Sequence, residues 1–505
     1  MLAIASLVLC GLVTEPASAI SAAATANSAP GKIPSAVTTG APAPDDAAAK
    51  SPAKKSAGKP AKPDKASEDA AQGSPAPAEE APPTLFIRAG KLYARPDRVL
   101  EGVGILVEKG RVVAIGADLQ APKDVRKLEA PVVCAGFIDG WSSFALDPAA
   151  YGDERATPAS AAIDAVDPYV DSRWEREIAR AGVTSYRLQA SAGTRVGGIG
   201  ALLRINPVRT TAESILLGDC SVGLSLAISR SGDVFERAAE TERVLSAISD
   251  GWSYLEEQNE YKHELAEWEK KIAEKRKELD DGFKKAKKDR EKAETEAKDK
   301  GGEFKEKEYK EDKKPKAPRY DEDKEVLARV ANGELPLVVE AHSAVQIRSL
   351  LASVERFKRA RLVLAGATEA APFAKQLAER RIPVLLAPAP LGFYRDSNSA
   401  NATLALAAEL EEAGVEVLFG SGGQGGLASR DLPLLAALAI GHGMSPQSAL
   451  AALTTRPARI FDVGSRVGSV ELGRDADLLL LDGEPFGAST KVKYVLCGGD
   501  LVVEE

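Results

Sequence analysis

The hydrophobic pattern of this chain changes period twice. From Thr84, "TLFIRAGKLYA" and "GVGILVEKGRVVAIG" are short apolar or alternating runs broken at Gly90-Lys91 and Lys109-Gly110. That pattern predicts a strand–turn–strand meander. The far end repeats it, in "DADLLLLDGE" and "VKYVLCGGDLVVEE". Between them the period lengthens. "WEREIARAGVTSYRLQ" predicts a helix then a strand, broken at Gly182. "ELPLVVEAH", "RLVLAGA", "IPVLLAPAP" and "VEVLFGSGG" predict strands. "SAVQIRSLLASVERFKRA" predicts an amphipathic helix with Val345, Leu350, Leu351, Val354 and Phe357 near one face. "APFAKQLAERR", "NATLALAAELEEAG", "LPLLAALAIGHG" and "SPQSALAALTTRPARIF" predict further helices. Strands alternating with helices imply a parallel sheet, and this many units favour a closed barrel. Two β ends flanking it predict one small sheet domain built from both ends of the ordered chain.

Residues 253–325 do not fit the barrel. "HELAEWEKKIAEKRKELDDGFKKAKKDREKAETEAKDKG" is dominated by charge, with a thin stripe at Leu265, Trp268, Ile272 and Leu279. It predicts a charged helical insertion whose tip lies near Gly301-Gly302: a solvated surface helix or an arm for a protein partner. Residues 20–83 are rich in Ala, Pro, Lys and Ser without an apolar face, the composition of a disordered tether. Residues 1–19 carry an apolar run from Leu2 to Val13 and then Ala17-Ser18-Ala19, the pattern of a cleaved export signal. No Lys or Arg precedes that run, and it is too short to span a bilayer. The expectation is an exported, periplasmic or envelope protein with no transmembrane span in the mature chain. Leu9 before Cys10 argues against a lipid anchor there.

Composition adds little. The 44% of hydrophobic residues is ordinary for a globular protein, and the net charge of −8 argues against nucleic acid as a partner. Cys134, Cys220 and Cys497 sit apart in apolar runs, as buried free thiols do.

The ordered part, from about Thr84 onward, resembles the amidohydrolase superfamily, closest in flavour to its imidazolonepropionase-like members. "AGFIDG" is similar to the family's approach to the first barrel strand, and "ARAGVTSYR" to its Gly-Val-Thr-Thr strand. "GMSPQSALAALTTRPARIFDVGSRVGSVELGRDADLLLLDGEP" resembles its last helices and returning strands over many spacings at once. The resemblance implies a TIM-like (β/α)8 barrel over residues 135–465 and a composite β-sandwich from residues 84–134 and 466–505. It also implies hydrolysis of a carbon–nitrogen bond of a small molecule. One or two divalent metals such as Zn would activate the water.

The ligand positions depart from that pattern. The two histidines that the family places on its first strand map to Gly140 and Ser142. In "LVVEAHSAVQI", Glu340 takes the first histidine slot and His342 the second. Gly366 stands where the next strand should end in His, and Gly422 where the last Asp should stand. The chain holds only three histidines, His263, His342 and His442. A cage of several histidines is therefore impossible by count, and no metal site or cofactor is expected. Glu340, His342 and Asp139 could hold one ion at most weakly, because Asp139 is out of phase with Gly140 and Ser142. Without metal, Glu340 and His342 are candidates for an acid–base pair. Ser421, in the Gly-rich "GSGGQGG", is a candidate nucleophile or anion contact. Trp141 is a candidate pocket wall. Three functions stay open: a divergent hydrolase, an inactive relative binding a ligand at the barrel mouth or another protein in the envelope, and a scaffold in which the tether and the charged arm matter most.

Overall fold

The computed structural model describes residues 84–146, 157–189, 196–226, 234–296, 313–354, 358–387, 403–423 and 428–505. The expected leader, the tether and the tip at Gly301-Gly302 lie outside the described residues.

One sheet is built from both ends of the ordered chain. The start supplies β1 (Leu85–Arg95), β2 (Arg98–Glu108), β3 (Arg111–Gly116) and β4 (Arg126–Ala135). The end supplies β13 (Leu478–Leu481), β14 (Val492–Cys497) and β15 (Asp500–Glu504). The order is β15-β14-β13-β4-β1-β2-β3, with β4 and β13 joined antiparallel so that Val133 faces Leu480. The expected sandwich is thus one sheet folded back on itself. The edge of β3 meets the segment leading into β13: Val112 N donates to Arg474 O at 2.9 Å, and Ala476 N donates to Gly110 O at 2.8 Å. One set of side chains, including Ile87, Ile105, Val133 and Leu478, closes inside the fold of the sheet. The alternate positions Cys134, Leu479, Val495 and Cys497 join the core beside the barrel. That is the period-two alternation of strands buried on both faces.

The second sheet is the barrel. Its strands are β5 (Phe137–Ser142), β6 (Val183–Leu188), β7 (Val196–Arg204), β8 (Ile215–Ser225), β9 (Leu337–Ala341), β10 (Leu362–Gly366), β11 (Val384–Leu386) and β12 (Val417–Phe419). They neighbour one another in chain order. From β8 to β12 every pairing is parallel, as expected. In contrast, β7 runs antiparallel to both neighbours, so residues 183–225 form a meander and not βα units. The interior is filled by Ile138, Leu202, Val338, Val363, Leu385 and Leu418.

Helices cover the outside: α1 (Ser172–Arg180), the single turn α2 (Thr211–Ser214), α3 (Val234–Glu296), α4 (Glu322–Ala331), α5 (Ala344–Val354), α6 (Ala374–Glu379), α7 (Leu406–Glu412), α8 (Leu432–Gly441), α9 (Pro446–Leu453) and α10 (Thr455–Ile460). Caps explain several starts. Asp171, Asp321 and Ser445 each accept a backbone N–H of the first turn, and Pro446 opens α9 where its missing N–H costs nothing. On α5, Ile347, Leu350 and Leu351 are buried, but Val345 is 62% exposed because it sits in the first turn, off the inner face.

The charged insertion begins earlier than its composition indicated. α3 has 63 residues and starts at Val234, and α4 continues the insertion past residue 325. At 1.5 Å per residue α3 is roughly 95 Å long. Its first turns are anchored: Leu245, Ile248 and Tyr254 are buried, and α4 lies so close that a Cβ on Gly251 would be 2.4 Å from Leu327 Cβ. Farther out the polar residues prevail, with Ile272 buried and Leu279 exposed. Among the described residues no helix is long and apolar enough to cross a membrane.

Candidate functional site

The predicted site residues come from four strand ends at one mouth of the barrel. Glu340 and His342 meet as their spacing implied. His342 Nε2 lies 3.1 Å from Glu340 Oε1, and His342 Nδ1 lies 3.0 Å from Thr368 Oγ1. The other Glu340 oxygen accepts from Ser225 Oγ at 2.8 Å. The imidazole is buried. In the tautomer that donates from Nε2 to the Glu340 carboxylate, Nδ1 is left to accept from the Thr368 hydroxyl. Thr368 escaped the sequence reading. It lies two residues past Gly366, on a turn where no pattern marks a hydroxyl.

Gly140 and Gly366 have been closed by their neighbours. A Cβ on Gly140 would stand 2.8 Å from Leu385 Cδ1 and 3.0 Å from Phe419 O. A Cβ on Gly366, whose φ is +78°, would stand 2.1 Å from His342 Cε1. Leu385 and the Phe419 carbonyl at Gly140, and the His342 ring at Gly366, fill the space that any side chain there would need.

The second residue at the mouth that the sequence did not reveal is Arg187, on β6. It is fully buried. Its Nη1 donates to Gly140 O at 3.0 Å, its Nε to Ser221 Oγ at 2.9 Å, and its Nη2 to Gln189 Oε1. The guanidinium also lies 4.8 Å from the centre of the Phe461 ring. Burial pulls its pKa below the ordinary arginine value, while Cys220 and Asp139 pull the other way. Arginine tolerates such a place because its fork spreads the charge over several acceptors and an aromatic face.

Asp139 and Ser421 belong to the barrel seam. Asp139 Oδ1 accepts from Trp141 N at 3.0 Å and Ser421 N at 2.9 Å, and Oδ2 accepts from Ser429 Oγ at 2.6 Å. Ser421 Oγ donates to Trp141 O at 2.9 Å. Ser142 Oγ accepts from Phe144 N and lies 3.4 Å from Ser429 Oγ. These bonds tie the end of β12 to β5 and close the barrel. Gly422 follows with φ +73°, in the left-handed region that glycine adopts without strain. Trp141 is buried in the barrel interior. Its Nε1 and the Ser185 hydroxyl lack a hydrogen-bond partner among the described residues. Cys134, Cys220 and Cys497 are buried free thiols. His263 is exposed on α3, and His442 caps α8.

A divalent metal does not fit the described residues. No group of three or more His, Cys, Asp or Glu among them could hold an ion. Asp139 is committed to three donors at the seam, and Arg187 places a fixed cation on the Gly140 carbonyl. A second cation beside it would be repelled in a low-dielectric interior.

Comparison with known proteins agrees with this architecture. The model of the amidohydrolase family matches residues 291–502. The imidazolonepropionase of Syntrophobacter fumaroxidans is 46% identical over 57 residues, 11% of this chain and 13% of that protein. Adenine deaminase 2 of a Jannaschia species is 41% identical over 68 residues, 14% of this chain and 10% of that protein. The matches thus span about a tenth of those relatives' length. A crystal structure of an amidohydrolase from Thermotoga maritima superposes with a TM-score of 0.60 at 23% identity, covering 83% of this chain and all of that one. The chain is thus similar to amidohydrolases in sequence over residues 291–502 and in fold over most of its length.

Proposed function

We propose that this chain is an amidohydrolase-superfamily protein that has left metal-dependent hydrolysis, and that its barrel mouth binds a small organic molecule. The observation that carries this is the closure at Gly140. The slot is filled by Leu385 and Phe419, and the Arg187 guanidinium holds the same residue's carbonyl. A fold alone does not carry an activity; its site residues do. The Glu340–His342 pair and the buried donors Trp141 Nε1 and Ser185 Oγ support recognition of a polar group. Export to the envelope, and a protein partner on residues 253–325, extend the same proposal.

Elemental analysis of the purified protein for Zn, Mn, Fe and Ni tests it, paired with thermal-shift screening of small polar metabolites. Metal-free, folded protein with a ligand that raises the melting temperature supports the proposal. Near-stoichiometric metal together with chelator-sensitive cleavage of a cyclic amide would sink it.

A further inference from the structure

We propose that Thr368, His342 and Glu340 form a metal-independent acyl-transfer site for small apolar esters, with Thr368 as nucleophile. This rests on the reading that the mouth works without a divalent metal. Hydroxyl, imidazole and carboxylate stand in one hydrogen-bonded chain, at 3.0 Å and 3.1 Å. That is the order a nucleophile, its base and the group orienting the base require. Glu340 holds the proton on Nε2, which leaves the Nδ1 lone pair facing Thr368.

The backbone is built around this chain. Gly366 and Ala367 are successive left-handed residues, at φ +78° and +53°. An alanine pays a steric penalty there, so surrounding contacts must impose the conformation. They do: Ala367 N donates to Ala341 O at 2.9 Å, and Glu369 N donates to His342 O at 2.9 Å. The turn carries Thr368 Oγ1 onto the imidazole, and the glycine leaves room for the ring. Gly366 and Thr368 also line an apolar cleft with Leu386, Ala387, Leu404 and Leu438, open to solvent and with a cavity volume of about 30 Å³. Its walls are apolar, and with so little enclosed room an acyl chain would lie along its open side.

In the reaction, Thr368 Oγ1 bonds to the ester carbonyl carbon while its proton passes to His342 Nδ1. Collapse of the tetrahedral adduct breaks the carbon–oxygen bond to the alcohol, which leaves with that proton. Water then attacks the acyl-threonine with His342 again as base. The carboxylic acid departs and Thr368 is restored, with no oxidant or reductant involved.

The experiment uses the full chain, p-nitrophenyl butyrate and EDTA. The expected result is a chelator-insensitive burst of p-nitrophenolate, with a butyryl group mapped by mass spectrometry to the peptide bearing Thr368. Thr368→Ala and His342→Gln should each lower the burst about 100-fold or more, whereas Thr368→Ser retains it. Glu340→Gln should slow acylation while leaving the adduct on Thr368. If Thr368→Ala fails to fold, the Thr368→Ser adduct position decides. Metal-free protein with no adduct, or with the adduct elsewhere, overturns this proposal and leaves the metal-free reading standing. Turnover lost to EDTA overturns both.

Discussion

Gly366 and His342 hold positions that exclude any larger residue at 366. A Cβ at 366 would meet three imidazole atoms, at 2.1, 2.6 and 2.8 Å. Gly366→Ala should therefore expel the ring from its bonds to Thr368 and Glu340, and also strain a left-handed backbone. The expected cost is about 2–4 kcal/mol, read as a lower urea midpoint with unchanged slope. Wild-type stability in the alanine variant would show that the imidazole is not confined by residue 366.

Arg187 is the interior's largest commitment. Arg187→Met removes donors from Gly140 O, Ser221 and Gln189 while keeping much of the volume. Each buried acceptor left unmet costs about 1–3 kcal/mol, partly offset by the charge no longer buried. A net loss of about 2–4 kcal/mol is expected. Arg187→Lys should recover little, because an ammonium cannot reproduce the fork. Full rescue by lysine, measured by calorimetry, would argue against the forked arrangement.

Asp139 separates a seam role from a catalytic one. Asp139→Asn keeps an acceptor for Trp141 N and Ser421 N, and the Ser429 hydroxyl can turn to accept from the new amide. It should fold almost normally. Asp139→Ala leaves three buried donors unmet and should cost about 3 kcal/mol or more. If neither variant changes the melting temperature, the seam is not held by this carboxylate.

Glu175 gives a pH dependence with a definite sign. Burial pushes its carboxyl up from 4.5 to about 7, against a hydrogen bond from the Asn206 backbone and the charge of Arg176. The folded protein then holds this proton more tightly than the unfolded chain. The contribution is fully present below pH 4.5 and is lost as pH rises through about 7. Denaturation midpoints should fall across that window, and Glu175→Gln should flatten the slope. A rise across the window specific to Glu175 would reverse the sign.

Gly251 lets α3 and α4 approach. Gly251→Val would push a side chain into Leu327, whose backbone carbonyl carbon lies 2.6 Å from the Cβ position. The long helix should lose its anchor while the barrel persists. Proteolysis should then cut within residues 234–331 ahead of the rest, and an unchanged cleavage pattern would count against that hinge.

Much of the fold was legible because the barrel's parallel half obeys simple periods. The runs that gave β9 to β12 are short, β-branched and bounded by glycine or proline. The meander of β7 and β8 was not legible: "GIGALLR" is glycine-broken and matches no period for long. The site was legible where two residues share one strand face, as Glu340 and His342 do. It failed where register slips. Between Asp139 and Ser142 the pairing of β5 with β6 shifts, so parity along β5 does not predict where Asp139 reaches. Arg187 carried an unused signal. In "SYRLQ", Ser185, Arg187 and Gln189 alternate with Tyr186 and Leu188, and polar residues on one face of a core strand must meet each other inside. Thr368 carried none, since only the turn at Gly366 and Ala367 aims it.

The sheet made from both chain ends also sets a schedule for biosynthesis. β4 is complete by Ala135, but its antiparallel partner begins at Leu478, about 340 residues later. At ribosomal speed that is a wait of about 20 to 70 s. Throughout it, β4 offers an unpaired apolar edge to any passing strand. A chain truncated before residue 478 should therefore leave that edge open and aggregate more readily than the full chain, which light scattering of the two would check.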